Sequence, residues 1–247
     1  MVHHFADDTN LLLFDSSLKS LQKKVNIDLK LLNHWLNANK ISLNAKKTEY
    51  ILFRHKQKLV DFNLKIKLNG KKLYSSSYIK YLGIFLDENL NWKKHISILS
   101  SKLRRANGAL AKLRHFVPTK TLTSVYYAIF NSHLSYGSQI WGQNQNTVTT
   151  RIFTLQKSAI RIMNKVPRRT HSNPLFYSSG ILKIFDQIQC HNVLLLHKIL
   201  NNKTPQSVCE TFALMLHPHN TRAINQIIIP QTTNPFLWDT FHQISMY

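Results

Sequence analysis

The sequence Phe5-Ala6-Asp7-Asp8-Thr9-Asn10 places two adjacent aspartates near the start of a 247-residue chain. Apolar residues before and after this motif predict two short strands, 2–5 and 11–14, with the aspartates at the bend between them. Magnesium prefers oxygen ligands and is usually held by one or two carboxylates together with substrate phosphates. Asp7 and Asp8 are therefore candidate metal ligands. The alternative is a turn or a helix cap, which is the commoner role of an Asp-Asp pair.

The chain is strongly basic. It contains 33 Lys and Arg against 11 Asp and Glu, a formal net charge of +22. Such an excess repels itself in the folded state and predicts a polyanionic partner, with nucleic acid as the first candidate. The alternative is a solvated, lysine-rich surface. A membrane is a less suitable partner, because the charges are spread along the chain and do not gather on one amphipathic helix.

The remaining composition indicates a globular protein. The hydrophobic fraction is 43%, the longest apolar runs have four or five residues, and no signal peptide is visible. Two cysteines are too few for a disulfide framework, so we expect an intracellular protein, nuclear or cytoplasmic, and not a secreted one. A zinc site is a weak alternative, because the candidate ligands are more spread out than the close pairs of structural zinc sites: Cys190, His191, His197, Cys209, His217 and His219.

After the aspartates, the sequence predicts a helix followed by strands. Asp15, Ser16 and Ser17 offer N-cap oxygens for a helix that begins near Leu18 and carries an apolar stripe at spacings of three and four. Strands are predicted at 41–43 and 48–53. Asn69-Gly70 separates two further strands and predicts a hairpin, because both residues tolerate the positive φ of a type I′ turn.

From Lys93 onward the pattern is helical. The first helix keeps apolar residues at regular spacing from Ile96 to Leu113, and Pro118 ends it. Thr119 is expected to cap the next helix, a third spans about 150–165 and a fourth about 184–201. The polar segment 167–174 contains two prolines and predicts a linker.

Several motifs resemble the reverse transcriptases of non-LTR retrotransposons, the jockey-like long interspersed elements. Phe-Ala-Asp-Asp resembles the catalytic hairpin of that family, with Phe5 where tyrosine is more usual. The following palm motifs of the family have counterparts, in order, at Trp35, Asn39, Leu43-Asn44, Lys47-Thr48 and Phe53. Residues 81–87, followed by Leu90, Trp92 and His95, resemble the primer grip, and residues 136–142 and 155–163 resemble jockey-type sequences in particular.

This resemblance implies an α+β fold with a partial polymerase palm of β-hairpins plus a helix (1–92), a mostly helical thumb-like region (93–166), and a linker with a helical or irregular C-terminal extension (167–247). It implies an RNA-directed DNA polymerase, a nucleotidyltransferase that acts on an RNA template and an RNA–DNA hybrid. Mg²⁺ would be held by Asp7 and Asp8.

The resemblance also gives roles to further residues. Lys47 is the candidate proton donor to the departing pyrophosphate; its alternative is an ordinary solvated lysine. The primer grip corresponds to Tyr81, Leu82 and Gly83. Candidate phosphate contacts, which would position a duplex without reading its sequence, are Lys102, Arg104, Arg105, Lys112 and Arg114. Their alternative is the ordinary solvated face of an amphipathic helix.

The family pattern also contains a third catalytic carboxylate, on a strand well before the aspartate hairpin, and nucleotide-binding fingers. Only four residues precede Phe5 in this sequence. We therefore expect a chain cut at its start that does not polymerise alone. Tyr247 ends in the middle of family-like sequence, which indicates a cut at the end as well. The alternative is a non-catalytic basic RNA- or DNA-binding module, or a relic without selected function. Oligomeric state is left open.

Overall fold

The computed structural model describes residues 2–5, 8–41, 47–54, 64–142, 148–206 and 208. The chain divides into two compact units, Met1–Asn91 and Trp92–Tyr247. The first unit combines short antiparallel hairpins with one long helix, and the described part of the second is helical. The predicted α+β class is confirmed at this level. No described helix is long and apolar enough to cross a membrane.

The aspartate motif lies in a hairpin of β1 (Val2–Phe5) and β2 (Asp8–Leu11), in which Phe5 pairs with Asp8. The predicted first strand is confirmed, but the predicted second strand is wrong: it begins at Asp8, and residues 12–14 lie outside it. The pairing leaves a two-residue connection, the commonest in antiparallel hairpins. Asp8 is therefore the first residue of a strand.

Helix α1 (Leu18–Ala38) follows, as its apolar spacing predicts. Ser17 is the N-cap residue, but its side chain makes no capping bond; Asp15 accepts hydrogen bonds from Ser17 N at 3.2 Å and Ser20 Oγ at 2.8 Å. The carboxylate is thus fixed beside the first turn, where the helix dipole favours negative charge. These hydrogen bonds lower the pKa of Asp15, first through Ser20.

The hairpin of β3 (Lys67–Leu68) and β4 (Lys71–Lys72) packs on α1. Asn69 and Gly70 have φ of 49° and 75°, so the predicted type I′ turn is confirmed. The core of this unit contains Leu29, Leu64, Ile66, Leu68 and Leu73.

Two amides on α1 recognise the backbone of the strand. Gln22 Oε1 accepts from Lys65 N at 2.7 Å. Asn26 Oδ1 accepts from Lys67 N at 3.0 Å, while its Nδ2 donates to Lys65 O at 3.0 Å. Side chains of α1 thus satisfy backbone groups of Lys65 and Lys67, and they fix the register of the helix against the hairpin.

Residues 48–53 do not form the predicted strand. Tyr50 makes a single parallel bridge with Ser75, in which Ser76 N donates to Tyr50 O at 2.9 Å and Tyr50 N to Tyr74 O at 3.4 Å. The segment pairs with the residues after β4, so its backbone groups are used there. Most of the predicted partner strand, 41–43, lies outside the described residues.

The second unit contains α2 (Lys93–Leu113), α3 (Thr119–Val125), a π-helical turn (Tyr126–Asn131), α4 (Ser132–Ser135), α5 (Ser138–Trp141), α6 (Val148–Met163), α7 (Asn173–Ser178) and α8 (Ile184–Leu200). The four predicted helices are present at about the predicted positions. Helix α2 lies along α6, where Asn107 Nδ2 donates to Leu155 O at 3.0 Å.

Two boundaries differ from the prediction. Pro118 is the N-cap residue of α3 and Thr119 is its first helical residue, so the predicted Thr119 cap is wrong. Pro118 has extended ψ, which suits the position before a helix better than a position within it. The predicted linker 167–174 also ends early, because α7 begins at Asn173 with Pro174 in its first turn, where proline needs no N–H partner.

The π-helical turn is a feature that the apolar spacing does not predict. Leu122, Tyr126, Phe130 and Leu134 recur every four residues and are all fully buried. In an ideal α-helix three steps of four residues would rotate this column by about 120° away from its starting direction. The wider π turn reduces that rotation, so one column of side chains stays buried along the whole segment.

Gln156 joins three parts of this unit. Its side chain is fully buried on α6, with Nε2 donating to Tyr126 Oη at 3.1 Å and to Leu182 O at 2.9 Å. Its Oε1 accepts from Ile184 N at 2.9 Å, an amide in the first turn of α8. Burial raises the pKa of Tyr126 to about 12, so this phenol remains a neutral hydrogen-bonding group.

The close contact between α5 and α8 depends on Gly142. A Cβ at this position would lie 2.5 Å from Ile188 Cδ1 and closer still to Ser138 O. Gly108, on α2, has nothing within 4 Å of the corresponding point. An alanine substitution at Gly108 is therefore a suitable comparison for one at Gly142.

We expect Gly142→Ala to destabilise the helical unit by about 1–3 kcal/mol, because the methyl group overfills the α5–α8 contact. Gly108→Ala should stabilise it by up to about 1 kcal/mol through helix propensity. Urea unfolding followed by far-ultraviolet circular dichroism measures both. A Gly142→Ala variant as stable as wild type would contradict the close α5–α8 packing.

Candidate functional site

The structure describes one of the two predicted metal ligands. Asp8 begins β2 and its side chain is exposed, opposite Phe5, whose ring is also exposed. Asp7 lies outside the described residues. An exposed carboxylate at a hairpin end is accessible to a cation and to substrate phosphates, so the donor chemistry of Asp8 fits Mg²⁺.

Among the described residues, no three His, Cys, Asp or Glu side chains come together as a metal-binding group. Lys47 is exposed in a turn, immediately after residues 42–46, which lie outside the described part. Its position relative to Asp8 therefore remains untested, and its predicted role stays a prediction.

The predicted primer-grip residues form the turn of a regular hairpin. Strands β5 (Tyr78–Tyr81) and β6 (Ile84–Asp87) pair antiparallel, with Tyr81 opposite Ile84. The two turn residues, Leu82 and Gly83, have φ of 44° and 85°. Leucine is rarely found at positive φ, so the backbone here holds a conformation that the side chain disfavours. This strain occurs at the residues where the family resemblance places contact with a primer.

A buried carboxylate organises the loop after this hairpin. Asp87 Oδ1 accepts from Asn89 N and from Asn91 N, both at 3.1 Å, and Asp87 O accepts from Leu90 N at 3.0 Å. Leu90 is held at φ 50°. These bonds use Asp87 for structure, and the residue is not an accessible metal ligand.

An ion pair connects this loop to residues 47–54. Arg54 Nη2 lies 3.1 Å from Glu88 Oε1, and Arg54 N donates to Glu88 O at 2.9 Å. Asn89 Nδ2 in turn donates to Arg54 O at 3.1 Å. Side-chain and backbone bonds together fix the loop more firmly than a surface ion pair would by itself.

The five predicted phosphate contacts all occur at α2, but they do not share one face. Arg105 and Lys112 are exposed and seven residues apart, which brings them within about 20° of each other around the helix. Arg104 is exposed about 100° away from Arg105. Arg114 is half-buried at the C-cap, and Lys102 is half-buried.

Lys94 was missed by the prediction, although its spacing reveals it. It is eleven residues before Arg105, which again gives an offset of about 20°. Lys94, Arg105 and Lys112 form a row of exposed cations along α2, called the α2 basic row below.

The distribution of acidic residues strengthens the case for an anionic ligand. Between Glu88 and Asp186 the sequence contains no Asp and no Glu, but fifteen Lys and Arg. The total charge does not reveal this segregation, whereas the positions of the acids along the chain do. Most of the helical unit therefore has no negative side chain to balance its field, which attracts polyanions.

The pKa values of two histidines are lowered, mainly by burial and further by nearby cations. Lys102 and Arg105 lower the pKa of His133 on α4, after the larger effect of its partial burial. His95, buried on α2 with its ring 5.8 Å from that of Trp141, has its pKa lowered to about 4 by burial, with a further contribution from Lys102.

The cysteine and histidine positions give no support for zinc among the described residues. Cys190 is exposed on α8. The neighbouring His191 has its Nδ1 3.3 Å from Ser138 Oγ, and its backbone carbonyl accepts from Gln139 Nε2 at 2.7 Å. His191 thus connects α8 to α5. Cys209 lies outside the described part of the chain.

The lowered pKa of His95 predicts a pH-dependent stability. The unfolded chain protonates His95 near pH 6.5, whereas the folded chain resists protonation down to about pH 4. The contribution of neutral His95 to the free energy of unfolding is therefore complete above about pH 6.5. It falls as the pH decreases to about 4, by up to about 3 kcal/mol. Urea unfolding at pH 7.5 and pH 5 measures part of this loss.

His95→Phe should reduce the difference in unfolding free energy between the two pH values, whatever its effect on stability at pH 7.5. His115→Asn is the control, since His115 is exposed at the end of α2. The same pH difference in His95→Phe and wild type would contradict the assignment of the effect to this buried ring.

Sequence comparisons find curated relatives. The chain is 22% identical over 192 residues to the RNA-directed DNA polymerase from mobile element jockey of Drosophila melanogaster, covering 76% of this chain and 21% of that protein. It is 28% identical over 193 residues to the probable RNA-directed DNA polymerase from transposon BS of the same fly, with 76% and 21% covered.

A third relative is a Pol polyprotein from the type-1 retrotransposable element R1 4 of Nasonia vitripennis, 26% identical over 205 residues, with 75% of this chain and 52% of that protein covered. No family model and no solved structure matches. The chain thus spans about a fifth of the length of the two Drosophila relatives. These similarities confirm the resemblance to non-LTR retrotransposon reverse transcriptases.

Proposed function

We propose that this chain, a relative of the reverse transcriptases of non-LTR retrotransposons, forms a nucleic-acid-holding portion of an RNA-directed DNA polymerase. Its first unit would contribute the aspartate hairpin and the primer grip, and its second unit a thumb that holds an RNA–DNA hybrid. The observation that carries this proposal is the coexistence of the aspartate hairpin with a helical unit whose sequence has no acid from Asn89 to Phe185.

The first unit would act through three sites. Asp7 and Asp8 would hold Mg²⁺, which when bound stabilises the charge on the oxygens of a phosphoryl transfer. The strained turn at Leu82 and Gly83 would place backbone against the primer, as glycine permits close approach. Lys47 would donate a proton to the leaving pyrophosphate.

The second unit would bind through electrostatics. Contacts to phosphate position a duplex without reading its sequence, so we propose little sequence preference. The α2 basic row offers three charges on one side of a helix, and the positive charges of residues 89–185, which contain no acid, add a long-range attraction that salt screens.

The binding proposal predicts a difference between two charge-matched double variants on α2. Arg105→Gln with Lys112→Gln removes two members of the α2 basic row, and should lower the affinity for an RNA–DNA hybrid. It should also reduce the slope of log K against log salt by up to about two units, since each lost phosphate contact removes about 0.9. Fluorescence anisotropy across a salt series measures both.

The control is Lys93→Gln with Arg104→Gln, which removes the same charge from a line about 100° around the helix. It should lose less affinity and less slope. Equal losses in the two variants would show that net charge alone binds, without an oriented surface. Binding that does not depend on salt would remove the electrostatic argument.

For catalysis we expect no primer extension by the isolated chain on an RNA template with Mg²⁺. Two-metal chemistry in the family pattern needs a third carboxylate beside Asp7 and Asp8, and among the described residues no three His, Cys, Asp or Glu side chains come together. A primer-extension assay with wild type and Asp8→Asn measures this. Extension that Asp8→Asn abolishes would show a complete catalytic site. The second candidate function, a non-catalytic RNA- or DNA-binding module, shares the binding prediction and also predicts no extension, so extension abolished by Asp8→Asn would exclude it.

A further inference from the structure

The segment between α6 and α7 presents two arginines on a fixed turn. Thr170 N donates to Pro167 O at 3.1 Å, which closes a four-residue turn with Arg168 and Arg169 at its centre. Both arginines are exposed. Arg161 Nε on α6 donates to Thr170 O at 2.7 Å and holds the turn against the helix. The two guanidinium groups therefore extend from a rigid base.

An aromatic ring follows eight residues later. Tyr177 on α7 is 92% exposed, the largest value among the exposed large hydrophobic side chains of the described residues. Its backbone is nevertheless fixed: Gly180 N donates to Tyr177 O, and Ile181 N donates to Phe176 O, both at 3.1 Å. The neighbouring Phe176 is buried and stacks on Phe153 of α6, with centroids 5.9 Å apart.

The exposed ring of Tyr177 is not part of the core. The core uses Phe176, which faces inward, whereas the ring of Tyr177 is left in solvent on a helix that Phe176 holds in place. An exposed aromatic ring costs little ordering entropy when it binds, because its backbone is already fixed. The surrounding sequence, from Arg151 to Lys183, contains no acidic residue.

We propose that Arg168, Arg169 and Tyr177 form a binding site for single-stranded nucleic acid, called the α7 site, with phosphates on the arginines and one unpaired base stacked on the tyrosine. Proteins that bind single strands combine a positive surface with aromatic rings on which bases stack, whatever the base. In a duplex the faces of the internal bases are already stacked on each other and only the two terminal base pairs expose one, so a blunt hybrid offers Tyr177 far fewer stacking partners than a single strand does. This inference rests on the proposed nucleic-acid binding but assigns the binding of single strands to residues other than those of the α2 basic row.

The test compares the full chain and its variants for binding to a 12-nucleotide oligouridine RNA and to a blunt RNA–DNA hybrid, by fluorescence anisotropy. Tyr177→Ala should weaken binding of the single strand by about 5- to 100-fold, since a stacked base contributes on that scale. It should leave the affinity for the blunt hybrid nearly unchanged. Tyr177→Phe should retain the affinity, because stacking needs the ring and not the hydroxyl.

Substitution of the two arginines should change both the affinity and its salt dependence. Arg168→Gln with Arg169→Gln should lower the affinity for the single strand and reduce the salt slope by about 1.4, at about 0.7 for each phosphate contact on a single strand. Phe14→Ala is the control for loss of an exposed aromatic ring, since Phe14 is 79% exposed in the first unit. Thermal unfolding should be unchanged in Tyr177→Ala, because the ring is almost fully in solvent.

Three outcomes would overturn the proposal. One is an equal loss for hybrid and single strand in Tyr177→Ala, another is no loss for either, and the third is displacement of the RNA by polyglutamate at equal charge concentration, which would indicate an acidic peptide as the partner. Hybrid binding that depends on Arg105 and Lys112, combined with single-strand binding that ignores Tyr177, would reject the α7 site alone. Absence of all nucleic-acid binding would reject the proposed function as well.

Discussion

The helical unit depends on one buried amide. Gln156 donates to two acceptors on segments far apart in sequence, the Tyr126 hydroxyl and the Leu182 carbonyl, and it accepts from the first-turn amide of α8 at Ile184. Each of these groups is removed from water, and a buried polar group without a partner costs about 1–3 kcal/mol. A single side chain on α6 therefore connects the π-helical turn at Tyr126 to the start of α8 at Ile184. The α5–α8 contact at Gly142 then follows from the position of α8.

The buried core stabilises this unit although every charged side chain from Lys93 to Lys183 is positive. The cations from Lys93 to Lys183 repel one another, and no acid in that stretch compensates them. Buried columns such as Leu103 with Leu110 and Leu122 with Phe130 provide the opposing stabilisation. A unit of this kind gains from binding a polyanion, because phosphates relieve the repulsion. The charge distribution thus favours the proposed nucleic-acid binding.

The first unit shows a different balance, in which backbone strain occurs close to the proposed primer contact. Leu82 and Leu90 both adopt positive φ, and Asp87 and the Arg54–Glu88 pair hold the segment between the hairpin and α2. Strain of this kind persists only where the surroundings determine the conformation, and it is common at sites that bind ligands. Local bonds thus fix a shape that the sequence of the turn does not favour.

The sequence by itself determined the elements with strong local signals. The apolar spacing of α1, α2, α6 and α8 predicts them, Asn69-Gly70 predicts its type I′ turn, and the motifs around Asp7, Asp8 and Tyr81 predict the relationship to reverse transcriptases. Only the tertiary structure decided the rest. Tyr50 makes one bridge to residues 74–76 and the predicted strand 48–53 does not form, because hydrogen-bond partners, not local propensity, define a strand. The π-helical turn keeps a four-residue column facing the core, and helix rotation separates Arg105 and Lys112 from Arg104. Spacing predicts which residues are apolar or charged, but the direction of each side chain depends on what its helix packs against.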